Sequence, residues 1–366
     1  MGSYYNSGQR ILSHNAAPGL DQRLNMPDPL TTQTEPMPAS ALTAFIRQKA
    51  LDLGFEAVGI IPAQPWQNGE GEHLQAWLAQ GYQAEMGWMV THLDKRLNPA
   101  SLMDNGRSLV CVAMNYYQPD DYDTGDPQAL KIAKYARGTD YHYVLKDRLK
   151  TLLAEIQTVS PHVQGRAFTD SAPLMEKPMA VQAGLGWMGK HGNVILPGKG
   201  SWFFLGELLL DVALDYDASP VANQCGSCRR CIEACPTEAI VDNSVIDANR
   251  CISYWTIESK AEVFPQAMQE KLSGWIFGCD ICQDVCPWNI KFARPTQEEA
   301  FTARPLNRTP EAATLLALDE EAFRAHFQKS PVKRTKLQGL RRNIAMATGQ
   351  ATFNAVAEAC PEAEPS

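Results

Sequence analysis

Eight of the ten cysteines fall between residues 225 and 286. Cys225, Cys228, Cys231 and Cys235 form a C-x2-C-x2-C-x3-C-P run, and Cys279, Cys282 and Cys286 form a second run that also ends in C-P. That spacing holds cubane iron–sulfur clusters, with the fourth cysteine of each run ligating the other cluster. Crossing the runs assigns Cys225, Cys228, Cys231 and Cys286 to one [4Fe–4S] cluster, and Cys235, Cys279 and Cys282 to another. The place for the eighth thiolate, three residues before Cys279, is taken by Gly-Trp-Ile-Phe-Gly, so Cys251 is the nearby candidate. Zinc is the rival metal for C-x2-C pairs, but the third cysteine and the repeated x3-C-P ending are not zinc-ribbon features. Disulfides do not suit a chain without a signal peptide. Cys111, within an apolar run, is expected to be a buried structural thiol, and Cys360 sits in a polar tail.

Other residues carry possible chemistry. Gly184, Gly186, Gly189 and Lys190 match G-x-G-x-x-G and approach the phosphate loop, failing at His191. Both motifs need a strand before the loop and a helix after it. Here a helical stretch precedes the glycines and extended chain around Val194 follows, so a nucleotide site is not expected. Two readings stay open: close backbone approach to a bulky group with Lys190 meeting an anion, or a tight helix-to-strand turn. Asp170 precedes Ser171 and Pro173 and reads as a cap for a helix starting near Ala172. Asp140 reads as a cap before Tyr141. Between Arg324 and Arg342 lie seven lysines and arginines and no acids. Among them, Lys333, Arg334, Lys336 and Arg341 suit either a phosphate footprint or a solvated helix face.

These residues need elements to place them. Apolar positions at helical spacing predict helices over 39–53, 72–80, 82–93, 141–159 and 173–183, the first capped by Ser40 and stopped by Gly54. Strands are predicted at 57–62, 108–117, 167–170 and 201–210. The alternation makes residues 39–215 an α/β half. The cluster region follows over 216–292. Helical patterns at 311–318, 320–328 and 337–348 predict a small C-terminal helical cap over 293–366, of helical-repeat (HEAT-like) type. Residues 1–38 are polar and turn-rich and read as a disordered leader; residues 120–127 form an acidic loop.

A chain of 366 residues exceeds one ordinary core. Its net charge of -8 argues against a general nucleic-acid coat but leaves room for a local basic patch. The most apolar stretch, 202–214, is broken by Glu207 and Asp211, so no membrane span is expected. A two-cluster module moves single electrons. The α/β half must therefore hold a further redox group or act on a substrate.

The chain resembles the epoxyqueuosine reductases. Arg137-Gly-Thr-Asp-Tyr-His142, Phe168-Thr-Asp-Ser-Ala-Pro173, Gly184-Leu-Gly-Trp-Met-Gly-Lys-His191, Gly200-Ser-Trp-Phe-Phe-Leu-Gly-Glu207, Cys251-Ile-Ser-Tyr and the cysteine framework carry the resemblance. It spans about residues 38–350. It implies a cobalamin-binding α/β domain fused to a two-cluster ferredoxin-like domain, and reduction of epoxyqueuosine to queuosine at the tRNA wobble position. It gives Asp170 the role of proton donor, with Asp140 the rival, on condition that burial raises the Asp170 pKa. It puts Arg96, Tyr135, Lys190, Val194, Ser253, Asp280 and Ile281 near the cobalamin, and agrees that Cys251 completes the second cluster. It implies a cytoplasmic, monomeric enzyme. Its partners would be a tRNA anticodon loop, met by the basic run, and a one-electron donor such as a flavodoxin or ferredoxin. Trp66, Trp88 and Tyr116 are candidate stacking platforms. The alternatives are a corrinoid reductive dehalogenase, normally exported, and a non-catalytic electron carrier, which would not need the α/β half.

Overall fold

The computed structural model describes residues 37–67, 69–119, 129–217 and 220–349. Apart from residues 37 and 38, the expected leader lies outside these residues, as do the acidic loop at 120–127 and Cys360.

Helix α1 (Ala39–Asp52) leads into strand β1 (Ala57–Pro62), with Gly54 in the left-handed turn between them. Pro38 stands at the N-cap, so the Ser40 cap is not realised. Strand β2 (Ser108–Asn115) follows, then helix α2 (Tyr141–Val159), strand β3 (Gly165–Phe168), helix α3 (Glu176–Gln182) and strand β4 (Phe203–Leu210). The sheet order is β1-β2-β4-β3, and every pairing is antiparallel. The half is thus α/β in content with an antiparallel sheet.

Strand β2 is buried along its whole length, and its alternation explains why. Val110, Val112 and Met114 face a core with Leu42 and Ile46 of α1 and Leu145 and Leu149 of α2. Leu109, Cys111 and Ala113 face the opposite core with Met179 and Ala180 of α3. Period-two alternation in a sheet covered on both faces gives this continuous apolar run.

Two predicted helices are corrected. The 82–93 stretch is mostly turn and short 3-10 structure. Gly81, Ala84 and His92 have positive φ, which breaks helical continuity before the short helix Leu93–Leu97. The 173–183 helix begins only at Glu176, because Asp170 has φ +46° and turns the chain first. Asp170 therefore caps nothing. Asp140 does cap α2, its side chain accepting the His142 amide.

The glycine motif resolves as a turn. Helix α3 ends at Gln182, and the glycines enter a hairpin pairing Trp187–Met188 with Val194–Ile195. A Cβ on Gly186 would stand 2.1 Å from the Ile195 carbonyl oxygen, so glycine is required there for packing.

In the cluster region, the short helices Arg230–Ala234 and Ile281–Asp284 pack together. A buried polar network joins them to the sheet half. Asn289 Oδ1 accepts the Ser201 amide at 2.6 Å, and Gln283 Nε2 donates to the Ser201 carbonyl and hydroxyl at 3.0 Å. Gly200, at φ +91°, admits this approach: a Cβ there would meet Asn289 Oδ1 at 2.4 Å.

Helix α4 (Lys336–Ala347) packs Leu337, Leu340 and Ile344 with Leu130, Ile132, Ile276 and Phe277, while Ala312–Leu316 and Glu320–His326 cover the same core. Up to residue 349, the described C-terminal residues hold helices near the three expected stretches. Among the described residues no helix is long and apolar enough to cross a membrane.

Candidate active site

Two cavities separate the cysteines into two groups. Cys225, Cys228, Cys231 and Cys286 line a small cavity of about 130 Å³. Cys235, Cys251, Cys279 and Cys282 line a large cavity of about 580 Å³. The partition is the crossed one, and Cys251 joins the second group. Among the described residues no three His, Cys, Asp or Glu side chains converge as for a single ion. Each group of four thiols instead lines a cavity, which suits a cubane. Burial pushes the Cys251, Cys279 and Cys282 thiols up, and their mutual charge adds to this. Thiolates form there only when metal displaces the protons. Amides of Ser253 and Tyr254 point at Cys251, those of Trp288 and Asn289 at Cys286, and Ala239 N donates to Cys235 Sγ at 3.3 Å. Such bonds raise cluster potentials.

Above the second cysteine group, Asp170 stands on the wall of the large cavity. Tyr141 Oη donates to Asp170 Oδ2 at 2.5 Å. His142 Nε2 lies 3.8 Å from the same oxygen, and its Nδ1 is 2.7 Å from Asp140 Oδ1. Burial works against a charged His142, but the bond to Asp140 and the charges of Asp140, Asp170 and Glu176 raise its pKa on balance. Burial and Asp170 push Tyr141 well above its ordinary range, so it stays a donor. The Asp170 side chain itself is 58% exposed. The protein alone does not bury it, contrary to expectation, and covering falls to whatever fills the cavity.

Sequence reasoning missed a carboxyl pair behind Asp170. Glu207 projects from β4 on the α3 side, opposite Cys111 in register, and is fully buried. Both its oxygens lack a donor when it is ionised. A proton on Glu207 turns its contact with Glu176 into a hydrogen bond. Burial, with the Glu176 charge, holds the Glu207 pKa well above the carboxylate range. Burial and Asp170 push Glu176 up to about 7. Glu176 Oε1 also accepts the Asp170 amide. The pair was hinted at only by a glutamate inside the apolar strand FFLGELLL.

The other expected residues divide. Tyr135, Ser253, Asp280 and Ile281 line the large cavity. Asp280 Oδ2 also accepts the Lys134 amide at 2.8 Å. Arg96 is buried, donates to the Trp88 carbonyl at 3.3 Å, and feels the Asp170 charge while its Nε has no partner. Lys190 is not at the large cavity. Its Nζ donates to the carbonyls of Gly226 and Cys228 at 2.7 and 2.9 Å, tying the hairpin to the first cysteine loop. Val194 is buried in the core against α3. Lys177 is the lysine on the large cavity's wall.

His191 lines both cavities. Its Nδ1 accepts the Asn193 amide at 3.2 Å, and burial lowers its pKa to about 4. The neutral ring therefore carries its proton on Nε2, which is buried and unpartnered. Of the candidate platforms, Tyr116 lines the large cavity, Trp88 is 47% exposed and Trp66 donates to the Arg96 carbonyl.

Two family models match: "4Fe-4S double cluster binding domain" over residues 224–289, and "Epoxyqueuosine reductase QueG, DUF1730" over residues 96–171. An epoxyqueuosine reductase from Cyclobacterium marinum is 43% identical over 310 residues, covering 85% of this chain and 98% of its own. One from Leadbetterella byssophila is 46% identical over 300 residues, covering 82% and 96%. The chain belongs to the epoxyqueuosine reductase family. Its fold matches a crystal structure of epoxyqueuosine reductase with an epoxyqueuosine-modified tRNA-Tyr stem loop. The TM-score is 0.77 and the identity 25%, with 84% of this chain and 80% of that chain covered. It also matches the Streptococcus thermophilus epoxyqueuosine reductase at TM-score 0.74 and 28% identity, covering 82% and 79%.

In family terms, the model match at 96–171 runs from Arg96 to just past Asp170 and takes in Tyr141 and His142. The double-cluster match contains all eight cysteines. Glu176, Glu207 and His191 lie between the two.

Proposed function

We propose that this chain reduces epoxyqueuosine in tRNA to queuosine, in a site that joins the large cavity to the cluster at Cys235, Cys251, Cys279 and Cys282. One observation carries this reading: these four thiols and Asp170 face the same cavity. The reaction breaks both C–O bonds of the epoxide, consumes two electrons and two protons, and releases water and an alkene.

Cobalamin suits the cavity on two counts. The walls are largely aromatic and aliphatic, with Tyr135, Tyr141 and Phe204 among them. His191 Nε2 waits there without an acceptor. When bound, cobalamin and the clusters supply electrons one at a time to the epoxide carbon. Tyr135, Ser253, Asp280 and Ile281 would hold the corrin, with Lys177 taking the anionic contact expected of Lys190 and His191 Nε2 donating a hydrogen bond. Arg96, within reach of the Asp170 charge, would stand near the cofactor's edge.

The chain's own residues manage the protons. Asp170 protonates the departing oxygen, oriented by Tyr141 and by the Asp140–His142 pair. Glu176, backed by protonated Glu207, holds the second proton near neutrality. The rate is expected to fall as pH rises through about 7, because ionised Glu176 has no proton to give. Asp170, His142 and Glu207 are the titratable groups that face it. Glu176→Gln should remove that limb of the kcat profile and lower kcat about a hundredfold, the low end for a positioned acid. An unchanged limb in the variant refutes the assignment.

The basic run supplies the tRNA contact through Lys333 and Lys336, which are exposed. Arg334 is paired with Glu258 at 2.6 Å on the rim of the cavity. Arg341 plays a different part, donating to the Leu316 and Leu318 carbonyls at 3.2 and 2.7 Å within the helical region. Lys333→Glu with Lys336→Glu should weaken stem-loop binding about tenfold and reduce the salt slope by about 2. Arg341→Ala should lower the melting temperature instead. Binding titrations across salt concentrations and a thermal melt separate the two.

The same reading divides the chain into an α/β cobalamin-binding part (39–215), a ferredoxin-like part (216–292) and a helical cap (293–366). It has the enzyme act as a cytoplasmic monomer fed by a one-electron donor. Anaerobic loading with iron, sulfide and cobalamin, then an assay on epoxyqueuosine-containing tRNA, tests it. A loaded protein that leaves the epoxide intact refutes it.

A further inference from the structure

The cysteines on the floor of the large cavity face the substrate side. The group at Cys225, Cys228, Cys231 and Cys286 does not, and its covering is thin. Cys225 and Cys228 are half-buried, with exposed Gln224, Gly226 and Ser227 around them. Beside this loop, the helices Arg230–Ala234 and Ile281–Asp284 and the helix Pro287–Phe292 frame a shallow depression. Arg230, Ala234, Val285 and Ile290 line it together with two acids, Glu233 and Asp284. Ile290 is 65% exposed, the highest value among the large apolar side chains described as exposed.

The charges around it have a direction. Arg229 is matched by Glu233 at 4.0 Å, and the buried Lys134 is shared between Asp284 at 2.8 Å and Asp280 at 3.8 Å. Arg230 and Lys291, both exposed, then set the sign as positive on a chain of net charge -8. An apolar centre beside cations, next to a thinly covered redox group, is what a brief electron-transfer encounter needs. Such interfaces are small, below about 1,200 Å², and complementary charge raises their association rate.

We propose that this patch docks a small acidic one-electron carrier protein, whose exposed redox edge then lies against the Cys225–Cys228 loop. In each encounter the carrier is oxidised by one electron and the cluster at Cys225, Cys228, Cys231 and Cys286 is reduced by one. Two encounters supply the pair that one epoxide consumes with its two protons. The inference rests on the proposed function for the electrons' destination, but its test does not need the epoxide.

The experiment follows bleaching of cluster absorbance in the anaerobic, fully loaded protein, after mixing with flavodoxin hydroquinone or, separately, dithionite. Arg230→Glu with Lys291→Glu should slow reduction by flavodoxin about tenfold at low salt and flatten its salt dependence. Reduction by dithionite should stay within about twofold, and iron content should not change. Ile290→Ser, which leaves every charge in place, should slow the flavodoxin reaction at all salt concentrations. Unchanged flavodoxin rates in both variants overturn the proposal. So does equal slowing with dithionite, or a wild-type protein that dithionite reduces and flavodoxin does not. Failure of tRNA turnover with these rates intact would instead count against the proposed function.

Discussion

Asp170→Asn is expected to lower kcat about a hundredfold to ten-thousandfold, the range for losing a positioned general acid, while cluster and corrin spectra stay as in the wild type. Asparagine keeps the size of the side chain and still accepts from Tyr141 Oη, so the loop retains its form. What goes is the proton. Asp140→Asn is the control. Asparagine caps helices as well as aspartate does, so α2 should persist, and the loss should be confined to the positioning of His142, a smaller effect. Single-turnover kinetics on the modified stem loop decide between them. Full activity in Asp170→Asn with none in Asp140→Asn would exchange their roles.

The second large effect concerns the split second motif. Cys251→Ala should leave about four irons per chain in place of about eight and abolish turnover, since the remaining cluster is the one away from the cavity. Cys235→Ala should give the same spectrum, although Cys235 belongs by sequence to the first run. Cys286→Ala should give the complementary one, losing the outer cluster. Electron paramagnetic resonance of the reduced variants distinguishes the two patterns. If Cys235→Ala instead resembled Cys225→Ala, the crossed assignment would fail.

The cluster framework was legible because thiolates must occupy fixed spacings to reach a cubane, and spacing is what a sequence records. The buried strand at 108–115 was legible for a similar reason: a run apolar at every position has few places other than the middle of a covered sheet. The bonds that Lys190 and Arg341 make were not legible, because their acceptors are backbone carbonyls, which every residue has and no sequence marks. Asp170 was read first as a helix cap because Ser171 and Pro173 follow it, whereas a left-handed turn delays the helix to Glu176. The Glu176–Glu207 contact joins a helix start to a strand 31 positions on. Only the oddity of an acid among leucines announced it.

The bridge of Ser201, Gln283 and Asn289 bears on how far this chain can be re-engineered. Each of its amides and hydroxyls is shielded from water, so a cut near residue 215 would strand several of them at about 1–3 kcal/mol apiece. A transplantable electron module is therefore not to be had by excision. Its separation from the catalytic chamber is set when the polypeptide collapses, and the tunnelling path is as rigid as the interior it crosses.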